Sequence, residues 1–143
     1  MNVQRSALLP YSAPQMYAVI SDVNCYPEFL NWCTDVRVEE QSAQQQIAEL
    51  NITYGTLKLS FTTVNTLTPH ELIEMKLAAG PFKNLSGQWE IQALGEGACK
   101  VSLNMSFTFD NPMTHRLFAK VFEKAITAQV SAFEQRANQI YGI

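Results

Sequence analysis

Apolar and polar residues alternate through most of the chain between Val36 and Asp110. Val36 and Val38 alternate with charges, and Leu50, Ile52 and Tyr54 share one side of a segment running from Ile47 to Tyr54. Leu57, Leu59 and Phe61 repeat the spacing after a turn at Gly55, followed by Ile73, Met75 and Leu77, then by Leu85, Trp89 and Ile91. Beyond the Gly95-Glu96-Gly97 turn the set is Val101, Leu103, Met105, Phe107 and Phe109, with Ser102, Asn104, Ser106 and Thr108 opposite. Period two with one polar face is the pattern of an antiparallel sheet with one wet side. Short turns between consecutive strands make it a meander of six. An earlier extended stretch, Asn2 to Leu9, ends at Pro10 and supplies a seventh strand.

Helical spacing appears at two places. Ser12, with Gln15 three residues on, forms a capping box for a helix from Ala13 to Ser21, whose apolar face is Met16, Tyr17, Val19 and Ile20. Asp22 is expected to cap a second short helix, broken near Pro27. Asn111-Pro112 reads as cap and first helical position. Beyond it Leu117, Phe118, Val121, Phe122, Ile126 and Val130 recur at helical steps, continuing through Phe133, Ala137 and Ile140, with no Gly or Pro until Gly142. A helix of up to about thirty residues is about 45 Å long and crosses the whole molecule.

The order strand, two short helices, six strands, long helix predicts an α+β fold with a meander sheet of about seven strands. At 4.8 Å per strand that sheet is about 30 Å wide, whereas one helix covers about 10 Å of it. The sheet must therefore curl around the helix, and large side chains or a ligand must occupy the rest of the gap.

Composition narrows the class. The chain has 143 residues, 47% hydrophobic and 16% charged, which fits one globular domain over residues 1–143 and excludes a disordered chain. Ten basic and thirteen acidic residues leave a net charge of −3, no whole-molecule footprint for nucleic acid, and DNA is not an expected partner. The N-terminal segment lacks the apolar run of a signal peptide, and no stretch has the length of a membrane span. Three cysteines without C-x-x-C spacing read as reduced, inert thiols of a cytoplasmic protein.

Two blocks stand out: Tyr26-Pro27-Glu28-Phe29-Leu30-Asn31-Trp32-Cys33, and Gly80-Pro81-Phe82-Lys83-Asn84-Leu85-Ser86-Gly87-Gln88-Trp89. With Ser6 to Tyr17 and the Phe107 to Phe122 tail, they resemble the START-like polyketide cyclase/dehydrase superfamily across essentially the whole chain. The branch is the one containing RatA-type ribosome-association toxins and mitochondrial coenzyme Q-binding proteins. Asn31 departs from the proline usual before the Trp-Cys pair. The resemblance implies a helix-grip fold, in which a curved sheet wraps a C-terminal helix around a hydrophobic cavity. It implies a lipophilic ligand, ubiquinone foremost, in support of respiratory electron transport. For the bacterial branch it implies association with the large ribosomal subunit and hindrance of subunit joining.

Residues that carry an enzyme are not found. His70 and His115 have no His or Cys partner at ligand spacing, so no metal or required cofactor is expected, and no phosphate-binding or nucleophile motif occurs. Expected cavity residues are Trp32, Phe61, Met75, Phe82 and Trp89, together with Phe107, Phe118, Phe122 and Ile126; each also serves as ordinary core. Phe82 is open to two readings, a gate at a loop tip with Lys83 offered to a ligand oxygen, or a hairpin residue tucked under the sheet. Arg116, Lys120 and Lys124, at i, i+4 and i+8, form a basic stripe. Residues 113–126 carry a net +2 while residues 22–40 carry −4. The stripe is either a solvated face or a contact for rRNA phosphate or a peripheral anionic membrane. Ligand binding without catalysis is the leading expectation, with a cavity above about 300 Å3, and ribosome association the alternative.

Overall fold

The computed structural model describes residues 1–142. Seven strands, β1 (Asn2–Leu9), β2 (Cys33–Gln41), β3 (Gln45–Tyr54), β4 (Leu57–Thr68), β5 (Leu72–Ala79), β6 (Phe82–Ala93) and β7 (Cys99–Phe109), form one curved antiparallel sheet. Their spatial order is β1-β7-β6-β5-β4-β3-β2. The six-strand meander is therefore intact, and β1 closes onto the last strand, with Val3 opposite Met105 and Leu9 opposite Cys99. Bulges in β2, at Thr62/Thr63 of β4 and at Phe82/Asn84 of β6 bend the strands so that the sheet can wrap.

Helix α1 (Ala13–Ser21) begins as the capping box requires: Gln15 N–H donates to the Ser12 hydroxyl at 3.2 Å, and Ser12 N–H donates to the Gln15 side chain at 2.9 Å. The second short helix is a 3-10 helix over Val23–Glu28 that contains Pro27. Asp22 stands at its start but makes no capping bond; its carboxylate accepts the Cys25 thiol at 3.1 Å instead. Helix α2 (Pro112–Tyr141) runs thirty residues behind the Asn111 cap, whose side chain accepts from Thr114 N–H at 2.8 Å.

The helix packs on β1 and β7 and against α1. Tyr141 donates to the Gln15 carbonyl and Tyr11 to the Asn138 side chain, tying the C-terminal half of α2 to the start of α1. Arg136 pairs with Glu28 at 2.9 Å and lies over the Phe29 ring at 5.0 Å, which holds the 3-10 helix to the same half. The β3–β5 side of the sheet is reached from α2 through side chains, and the functional question turns on how they fill that gap.

Candidate functional site

The interior has two unlike ends. Around the N-terminal half of α2, phenylalanines close the gap. Phe82 stacks on Phe109 at 4.6 Å and meets Phe61 edge-on at 5.6 Å, while Phe122 meets Phe107 at 4.8 Å and Phe82 at 5.3 Å. Phe118 joins through Phe109 at 6.4 Å. Phe82 is the first residue of β6 and buried, so it lies under the sheet rather than at a loop tip. Gly80 permits this approach: its φ is +143°, and a Cβ there would sit 2.7 Å from that of Phe61. Lys83 is exposed on β6 and does not border the cavity.

Farther along the helix the filling is incomplete. A cavity of about 60 Å3 lies between α2 and β3–β7, bordered by Trp32, Phe61, Met75, Trp89, Phe122 and Ile126 of the expected set. Phe82, Phe107 and Phe118 belong to the phenylalanine cluster and do not border it. Its volume falls well below the roughly 300 Å3 of an ordinary ligand pocket, with large side chains such as Trp32, Trp89 and Met75 in its lining. Ligand-sized space between sheet and helix, expected from sheet width alone, is absent among the described residues.

Three polar side chains border the same cavity: Thr63 and Asn65 of β4 and Gln129 of α2. Thr63 donates to Asn65 at 2.9 Å, Asn65 donates to Gln46 at 2.8 Å, and Gln46 donates to the Ser21 carbonyl and to Gln41, both at 2.9 Å. This chain anchors the polar residues of β4 to the end of α1. The alternation of β4 carries their signal, since Thr63 and Asn65 continue the inward parity of Leu59 and Phe61. Gln129 stands three residues beyond Ile126 on the apolar face of α2.

Titratable chemistry in the cavity is sparse. Of its lining only Tyr26 titrates; its hydroxyl donates to the Ile20 carbonyl, and burial pushes its pKa up strongly. The thiols are held protonated. Cys25 is pushed up to about 11, first by its hydrogen bond to the Asp22 carboxylate, and Cys33 to about 11 by burial. Cys99 is raised by burial. Among the described residues no three His, Cys, Asp or Glu side chains gather as a metal site requires.

On the outer face of α2, Arg116, Lys120 and Lys124 are all exposed and make no ion pair among the described residues. Exposed Met113 and Leu117 stand among them.

A curved sheet gripping one long helix, with an apolar hollow between, defines the START-like class of folds. The chain belongs to the polyketide cyclase/dehydrase and lipid transport family, whose model matches residues 9–134. Its relatives include the ribosome association toxin RatA of Pseudomonas aeruginosa, 45% identical over 141 residues that span 99% of this chain and 98% of that protein. The mitochondrial coenzyme Q-binding protein COQ10 homolog B of Xenopus laevis is 26% identical over 96% of this chain and 58% of that protein. The Zhui aromatase/cyclase of Streptomyces sp. R1128 superposes with a TM-score of 0.85 at 17% identity, covering 97% of this chain and 94% of that one, a likeness of fold alone. Among the described residues no helix is long and apolar enough to cross a membrane.

Proposed function

We propose that this protein associates with the large ribosomal subunit and hinders subunit joining, acting in the cytoplasm as a non-enzymatic interaction protein. The observation that carries this reading is identity of 45% along nearly the full length of a protein named for ribosome association. The outer face of α2 supplies a contact of suitable chemistry. Three unpaired cations in register along one helix face meet a phosphate backbone while an otherwise acidic surface limits non-specific binding. Cosedimentation with purified large subunits tests it. Reversing Arg116→Glu and Lys120→Glu together should lower association at least tenfold with the fold intact by circular dichroism; undiminished association would remove the stripe from the account.

A second, compatible reading is retention of a hydrophobic ligand, of which a quinone is the leading candidate. It is favoured by the apolar hollow with polar side chains in its lining, and by the relative named for coenzyme Q binding. At about 60 Å3 the hollow must enlarge to admit such a molecule, and Trp32 and Met75 are half-exposed side chains of its lining. Burial of the ligand's apolar surface, at about 25 cal/mol per Å2, would drive the opening. Lipid extraction and mass spectrometry of the purified protein would find the ligand.

A further inference from the structure

The amide of Gln129 sits in an environment where amides are normally satisfied. The residue is 9% exposed and borders the free volume, yet it makes no hydrogen bond among the described residues. Among the described residues no fully sealed side-chain nitrogen or oxygen lacks a partner, so the Gln129 amide keeps some open surface at the edge of this free volume. An amide with no protein partner at a position this buried gains little there, and a leucine of similar size would fit it at least as well.

The β4 wall is matched to it. The rings of Phe61 and Phe122 meet edge-on at 5.7 Å between β4 and α2. Asn65 lies four residues beyond Phe61 on β4 and Gln129 seven beyond Phe122 on α2, and both border the same cavity. Asn65 uses one N–H on Gln46 and keeps the other, while its oxygen accepts from Thr63. Thr63 has given its proton to Asn65 and retains only acceptor capacity. The cavity lining thus combines aromatic rings with amide donors from two elements, β4 and α2.

We infer that Gln129, with Asn65 of β4, is the recognition site for a carbonyl oxygen on an otherwise apolar ligand. This deepens the ligand reading above and rests on it. A carbonyl accepts from both amides at once, which a hydrocarbon of the same shape cannot do, so the amides select by oxygen while the aromatic rings select by flatness.

Two probes of one shape test it: 2,3-dimethyl-1,4-naphthoquinone, whose methyl groups block addition of thiols, and 2,3-dimethylnaphthalene. The chain's two tryptophans, Trp32 and Trp89, both border the cavity, so their fluorescence reports entry, with equilibrium dialysis as the independent measure. In Gln129→Leu the ratio of quinone to hydrocarbon affinity should fall about tenfold, the worth of one hydrogen bond to a group otherwise left unpaired. Hydrocarbon affinity should hold or rise, and the variant should melt no lower than the wild type. An unchanged ratio, or equal loss for both probes, would overturn the inference while leaving the ligand reading in place. Binding of neither probe to the wild type would overturn both.

Discussion

The two halves of α2 meet the same sheet and close the gap beneath them differently. Under residues 112–125 the inward side chains Phe118 and Phe122 join Phe61, Phe82, Phe107 and Phe109 in a cluster whose neighbouring rings lie 4.6–6.4 Å apart. Under residues 125–133 the inward side chains are Ala125, Ile126, Gln129 and Phe133, and about 60 Å3 stays empty. Outside, the contrast reverses. The first half carries the free cations Arg116, Lys120 and Lys124, whereas in the second Arg136 is committed to Glu28. The basic face therefore stands over the filled end and the hollow lies beyond it, so the proposed surface contact and the proposed ligand site can be tested by separate mutations.

The largest effect should come from opening the filled end. Phe107 is 1% exposed and packed edge-on to Phe122, so Phe107→Ala should lose about 3–5 kcal/mol in urea unfolding. A loss below about 1 kcal/mol would mean that the cluster is loosely packed and the contrast between the halves false.

A matched pair of small-to-large changes sharpens the comparison. Ala119 and Ala125 are both buried on α2, the first adjoining Phe118 and the second beside the hollow. Ala119→Val should overpack and cost about 1–3 kcal/mol. Ala125→Val should be neutral or about 1 kcal/mol stabilising, since two buried methyl groups outweigh the lower helix propensity of valine. It should also weaken uptake of the naphthoquinone probe and leave ribosome cosedimentation unchanged. Equal destabilisation by the two would show that no usable space exists at Ala125.

The smallest effect concerns the thiols. With Cys25 and Cys33 near 11, about one thiol in three thousand is ionised at pH 7.5, and each should react about a hundredfold more slowly with iodoacetamide than in the unfolded chain. Because folding raises these values above the ordinary 9.0, the folded state holds the proton, and their contribution to stability declines as pH climbs from 9 toward 11. Rapid modification of Cys33 at pH 7.5 would show that its burial is transient.

Much of this architecture is legible in the chain. Ser12 with Gln15, Asn111 with Pro112, and the alternation from Val36 to Phe109 give the strands, both α-helices and their order, because capping and period two are local physics. The size of the cavity is not local. It depends on how far Trp32, Trp89 and Met75 reach across from separate elements, and no spacing encodes that. Phe82 shows the same limit: Gly-Pro marks the bend, but only the aromatic rings beneath it decide that it tucks inward. Thr63, Asn65 and Gln129 were within reach of pattern alone, each occupying an inward position of its own element. An inward face is marked in sequence by its apolar members, and these three are polar.

Association of the unmodified protein with purified large subunits, followed from 50 to 200 mM salt, tests the central claim most directly. Three phosphate contacts each add about 0.7–0.9 to the logarithmic slope, so affinity should fall about 20- to 40-fold over that range. Affinity indifferent to salt, or no association at 50 mM, would contradict a contact made through Arg116, Lys120 and Lys124.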